Sequence, residues 1–235
     1  IAEIHSMSME QFAYPYAEWF FGDQADKFRF AHLQEAITFV PFGVAVDEFQ
    51  HICYAHPELT PKERTYQWHL LEEKYMPWRR YENDAFMDRG GYWYHKLHIY
   101  LYPFYYINYT LTTMGAMEFK KKYAEDKAAA WQDYLKLCKT GGSRSYLETL
   151  RYSNLANPFE AGSVARACGY AEKILLKQIE AQAQRHNHTS GYRFRSIPLC
   201  IHLNAEGIFF DPTKQKNIPQ GSFRRDPRSD TIRTT

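Results

Sequence analysis

Up to about residue 186 this chain is written almost wholly in helical spacing, and that pattern constrains the fold more than any other feature. Residues 7–21 combine good helix formers with a dense apolar face. In 27–39 the apolar residues Phe28, Ala31, Ile37 and Phe39 are mixed with charges, and in 44–54 Val46, Phe49, Ile52 and Cys53 recur at helical spacing. The run HPELTPKER reads as a loop and a helix start: Thr60 caps, Pro61 takes the first helical position and Glu63 completes a capping box. That helix is predicted to continue through Tyr66, His69, Leu70 and Glu73 toward Pro77. Gly90 and Gly91 break the chain, and Pro103 is predicted to open a helix through Ile107, Leu111, Met114 and Phe119 to about Tyr123. Further helices are predicted over 127–137, 143–150 and 164–183, with a stop at Thr140-Gly141-Gly142 and a turn at Asn157-Pro158-Phe159. The fold class expected is all-α.

Beyond His186 the spacing fails, and turn signals alternate with short apolar pieces that allow at most a short hairpin. The expected division is a helical body over 1–183 and a basic, poorly ordered tail over 184–235. The net charge of +2 is unevenly placed, with the basic excess in that tail. Its charges lie among Pro, Gly, Ser and Thr rather than on a helix face, which reads as a solvated extension and not a nucleic-acid site. At 235 residues the chain can bury a sizeable core. No stretch is long and apolar enough to cross a bilayer, and no secretory signal is visible. Cys53, Cys138, Cys168 and Cys200 lie far apart with no CxxC pair, which points away from a disulfide framework and toward a reducing cytoplasm.

Two segments carry candidate chemistry. The first, GGYWYHKLHIYLYPFYYINY over 90–109, holds a glycine pair, His98 and a dense set of tyrosines. An aromatic core helix is the ordinary reading of such a run. A histidine followed by phenols can also aim neutral donors at an oxygen that becomes charged during a reaction. The glycines would allow a mobile loop bearing His98, and the helix opened by Pro103 would present Tyr105, Tyr106 and Tyr109. The second segment, EIHSMSME, places Glu3 and Glu10 seven residues apart, on one helix face two turns from each other. Two solvated carboxylates are its ordinary reading; a metal ligand and a carboxylate that orients another ligand are the alternative.

Taken together, and in this order, these pieces resemble the carboxy-terminal part of the zinc metallopeptidases typified by oligoendopeptidase F and thimet oligopeptidase, over roughly residues 2–176. EIHSMSMEQF resembles the segment whose first glutamate is the family's third zinc ligand, which falls on Glu3. VPFGVAVDEFQH, the 90–109 run and NPFEAG are similar to further segments of the oligoendopeptidase F branch. The resemblance implies a helical part of a zincin-type catalytic domain that cuts short peptides with one Zn²⁺ ion. It implies that Glu3 binds the metal with Glu10 behind it, and that His98 and Tyr105 are hydrogen-bond donors to the tetrahedral intermediate, with Tyr106 and Tyr109 nearby.

The sequence departs from the family in one major respect. The other two zinc ligands and the general base come from an HExxH helix, and these residues contain none. The chain opens without methionine and reads as a piece that starts after that helix, so it is expected to be inactive alone and to need the missing amino-terminal part. Leu97 stands where a glycine commonly precedes the histidine, and Asn108 where the family has aspartate. A single ExxH unit at Glu48–His51 is half of what a di-iron bundle needs. No GxxxxGK[ST], GxGxxG or GxSxG motif occurs, so nucleotide binding and serine hydrolysis have no support. The competing class is a non-catalytic helical peptide-binding module derived from the same fold.

Overall fold

The structure is a computed structural model that describes residues 2–186. The tail readings, including its hairpin and its basic patch, lie outside the described residues. Ten α-helices are described: α1 (Ala2–Ala13), α2 (Ala17–Phe21), α3 (Ala25–Ala55), α4 (Pro61–Tyr75), α5 (Ala85–Asp88), α6 (Leu97–Leu101), α7 (Ile107–Glu125), α8 (Lys127–Thr140), α9 (Tyr146–Tyr152) and α10 (Ser163–His186). Short 3₁₀ turns stand at Tyr14–Tyr16, Gly22–Gln24 and Gly91–His95. Among the described residues there is no strand, and the fold is all-α.

Four boundaries differ from the sequence expectation, each for a local reason. The helix expected over 7–21 is split, because Pro15 lacks a donor and the chain tightens into a 3₁₀ turn before α2. The two helices expected over 27–39 and 44–54 are one helix, α3, 31 residues long with Pro41 inside it. Pro41 removes one backbone donor, but Ile37 and Val40 before it and Val44 and Val46 after it are all buried, so packing holds the helix through the break. Helix α7 opens at Ile107 rather than at Pro103, because Phe104 adopts a positive φ of 59° that interrupts the helical run. Helix α9 starts at a second capping box, Ser145 with Glu148, that the sequence reading passed over.

The predicted cap of α4 forms as expected. Thr60 Oγ1 accepts from the Glu63 amide at 3.3 Å, and Glu63 Oε2 accepts from the Thr60 amide at 2.8 Å.

Helix α7 is the central element and packs against α1, α3, α8 and α10. It approaches α3 closely at Gly43, where a Cβ would stand 1.9 Å from Thr110 Oγ1. Two apolar clusters flank it. The larger joins α3, α4, α7 and α10 through Phe49, Trp68, Met114 and Leu175. The smaller joins α1, α7, α8 and α9 through Ile4, Phe12, Phe119, Leu137 and Leu150. Among the described residues no helix is long and apolar enough to cross a membrane, and Cys53, Cys138 and Cys168 are free thiols.

Candidate active site

A cleft of about 460 Å³ opens between α1, α3, α6 and the start of α7. Its walls include Met7 and Glu10 from α1, His98 from α6, and Tyr106 and Tyr109 from the α7 end. The spacing of α1 explains the first wall. Glu3, Met7 and Glu10 recur at helical intervals on one face, while Ile4 and Ser8 turn inward and are fully buried. The Met7 sulfur lies 3.6 and 3.9 Å from the hydroxyls of Thr112 and Thr113, which donate to the Tyr109 carbonyl at 2.9 and 2.8 Å.

The glycine pair does something other than loosen a loop. Gly90 is buried with φ 98°, and a Cβ there would lie 2.2 Å from the Thr65 carbonyl; a Cβ on Gly91 would meet the Phe86 ring at 2.4 Å. Gly90 therefore lets backbone lie directly on α4 and Gly91 leaves room for the Phe86 ring of α5, and the chain after them forms a 3₁₀ turn and α6. His98 sits on α6 and is half-buried. Its ring meets Tyr106 edge-on at 5.1 Å and Tyr109 at 5.7 Å.

The three tyrosines are not on one helix as expected, because Tyr105 and Tyr106 lie in the turn that precedes α7. They still converge, with Tyr105 5.6 Å and Tyr106 5.4 Å from Tyr109, ring centre to ring centre. Tyr106 is buried, and burial, with Tyr92 and Tyr109 adding to it, pushes its phenol up to about 12. Tyr109 is also raised, by partial burial first and then by Tyr105 and the Glu3 carboxylate. Glu3 therefore stands close enough to Tyr109 for its charge to be felt there. Tyr105 and Glu3 do not line the cleft; Tyr105 touches the Tyr109 ring, and Glu3 acts on Tyr109 through its charge.

Two cleft residues were missed in the sequence: His32 and Glu35 of α3. They share one face with Phe28 and Phe39, a heptad-like spacing that was visible but read only as apolar residues mixed with charges. His32 Nε2 lies 3.0 Å from Glu10 Oε2, and its Nδ1 lies 2.7 Å from the Tyr14 hydroxyl. The Glu10 carboxylate only accepts, so Nε2–H donates to it, and in the neutral ring Nδ1 then accepts from the Tyr14 hydroxyl, which burial holds protonated. Glu10 is thus fixed by a partner in this chain. The ExxH unit is dispersed: Glu48 is taken by Lys74 and Tyr75, while His51 pairs with Asp47 at 3.5 Å.

No protein-family model matches the chain, and no curated protein sequence does. Solved structures do. A 3.1 Å X-ray structure of a protein designated oligoendopeptidase F is 50% identical over 73% of this chain, with a TM-score of 0.70. PZ peptidase A with an inhibitor is 46% identical over 74% of it, also at 0.70. A protein designated oligoendopeptidase F from Bacillus anthracis is 40% identical over 77%, at 0.56. The helical body is therefore that of a peptidase family. The chain belongs to the oligoendopeptidase F family, and it spans 30%, 31% and 28% of the lengths of those three chains.

Proposed function

We propose that this chain supplies one wall of the catalytic site of a zinc-dependent oligopeptidase acting on short peptides. The observation that supports it most is the convergence of His98, Tyr106 and Tyr109 on one cleft beside Tyr105, with Glu3 near enough to shift Tyr109.

Among the described residues no group of three or more His, Cys, Asp or Glu is placed to hold a metal ion. The chain's own donors therefore fit only part of a zinc site. Glu3 would supply one carboxylate ligand, and the other ligands and the general base would come from polypeptide outside this chain, which alone would be inactive. When bound, zinc would polarise the peptide carbonyl and lower the pKa of a water.

The rest is work for side chains described here. The phenols raised above their ordinary range stay protonated at neutral pH, so Tyr106 and Tyr109 are donors and not anions. Tyr105 and His98 would donate to the carbonyl oxygen as it gains charge, and Tyr106 would fix the His98 ring from its edge. Glu10, itself oriented by His32, would steady a ligand contributed from outside. Free thiols at Cys53, Cys138 and Cys168 support a cytoplasmic setting as part of the same reading.

The test uses the intact protein, with zinc content and cleavage of a quenched fluorescent peptide measured with and without chelator. Glu3→Ala is expected to lose zinc and activity together. A Glu3→Ala protein that keeps stoichiometric zinc would remove the ligand role. An intact protein that binds peptides but cleaves none would favour the non-catalytic module.

A further inference from the structure

Next to Tyr106, two cations share one aromatic ring, that of Phe42. Lys96 Nζ lies 4.9 Å from the centre of Phe42 and 5.3 Å from that of Tyr106. The Arg79 guanidinium lies 5.3 Å from the same Phe42 ring and 4.2 Å from Tyr92. Like charges that are partly withdrawn from water repel unless an anion stands between them. One carboxylate is at hand, Glu72, but its Oε1 already accepts from the Tyr81 hydroxyl at 2.5 Å and reaches Arg79 only at 3.5 Å. The Lys96 ammonium has no hydrogen bond and no ion pair among the described residues. Burial and the facing Arg79 both hold its ammonium below the ordinary lysine range. The aromatic faces offset part of this cost, as cation–π contacts do, but they leave all three of its N–H donors unused.

We infer that Lys96, with Arg79 behind it, forms a subsite for the free carboxylate at the carboxy-terminal end of a short peptide substrate. This rests on the oligopeptidase reading above and deepens it. The position suits that role: the Tyr106 ring lies 5.1 Å from the His98 ring and 5.3 Å from the Lys96 ammonium. The ammonium therefore lies within roughly 10 Å of the His98 ring, a span of about three extended residues. A peptide whose reacting carbonyl sits at His98 would bring its terminal carboxylate to Lys96 two or three residues later. Longer chains would overrun the subsite, and a selection for short substrates follows without any closed end to the cleft. Lys96 is a specificity residue in this account and takes no part in bond breaking.

The experiment compares matched short peptides with a free or an amidated carboxy terminus, using the intact protein at constant ionic strength. Wild-type protein is expected to favour the free acid by about tenfold in kcat/KM, mostly through KM. Lys96→Gln should bring the ratio close to one while leaving the amide's kinetics unchanged, and Lys96→Arg should keep the preference. Equal use of acid and amide by wild type, or equal loss on both in Lys96→Gln, overturns the proposal. Calorimetric binding of the same two peptides gives the readout if no cleavage occurs, so that failure of the peptidase reading is separable from failure of the subsite. Acetate and inorganic phosphate serve as the remaining probes. If either binds in a Lys96-dependent way while the peptide acid gains nothing over its amide, the site is a general oxyanion site and the peptide assignment fails.

Discussion

The two ends of α7 are held by different means. At its carboxy-terminal end Lys122 reaches Asp133 at 2.5 Å and the Asn154 carbonyl at 2.8 Å, while Asp133 also accepts from Lys136 and from the Asn154 amide. Phe119 is fully buried there among Phe12, Tyr134 and their neighbours. At its amino-terminal end no side chain caps the helix, Phe104 sits at positive φ just before it, and Tyr105 is left 43% exposed. Contacts at that end are mostly edge-to-face rings, each a small contribution beyond the area it buries. One end of the helix anchors the fold; the other presents hydroxyls and an imidazole to a cleft. A non-glycine residue at positive φ is tolerated beside Tyr105 because the rest of the helix is secured elsewhere.

Truncation at the anchored end is the sharpest way to break this contrast. Phe119→Ala is expected to lower unfolding stability by about 3–5 kcal/mol, the usual cost of emptying a buried aromatic site. Denaturant melts measure that loss, and kcat per folded molecule should be unchanged. The opposite pattern is expected at the open end. Tyr105→Phe in the intact protein should lower kcat by roughly ten- to a thousandfold, as loss of one oxyanion donor does, with no shift in the melt and no loss of metal. Should Tyr105→Phe destabilise as much as Phe119→Ala, the two ends would not differ in the sense argued here.

The same contrast governs what could be read before folding. The α4 cap was legible because a capping box is a local event among Thr60, Pro61 and Glu63. The cleft residues Glu10, His98, Tyr106 and Tyr109, with Tyr105 and Glu3 outside its wall, were found as two separate motifs that a resemblance joined. What escaped was tertiary. Nothing near Pro41 says that α3 continues through it; that depends on the distant Trp68, whose ring meets Phe42, and on Thr110, which lies against Gly43. His32 could not be assigned to Glu10, 22 residues away, without the packing of α1 on α3. The glycine pair was read as freedom because an absent side chain signals either freedom or close approach. Only Thr65 and Phe86, placed against it in space, decide for the second.

A pH experiment tests the anchored end further. Burial alone would raise the Asp133 carboxyl, but hydrogen bonds from Lys122, Lys136 and Asn154 outweigh it and lower the group to about 2. A depressed carboxylate contributes stability that is present above its unfolded pKa of roughly 4 and lost as pH falls through the folded value. The stability difference between wild type and Asp133→Asn should therefore be roughly 2 kcal/mol at neutral pH and shrink toward zero between about pH 4 and 2. A difference that does not vary with pH would mean that Asp133 acts by packing and not by charge.

The smallest effect belongs to the cap of α4, the helix on which Gly90 rests. Thr60→Ala removes the acceptor of the Glu63 amide, a loss of about 1 kcal/mol. Because Gly90 rests on the Thr65 carbonyl and on His69, fraying of the first turns of α4 would be felt in the 90–98 segment, whereas Phe119 is out of its reach. Thr60→Ala should therefore produce a slight melt shift together with faster amide exchange at Gly90 and Gly91, and none at α8. If exchange rises evenly across the molecule instead, the stability of the two regions is not separable, and the distinction between an anchoring end and a presenting end loses its physical basis.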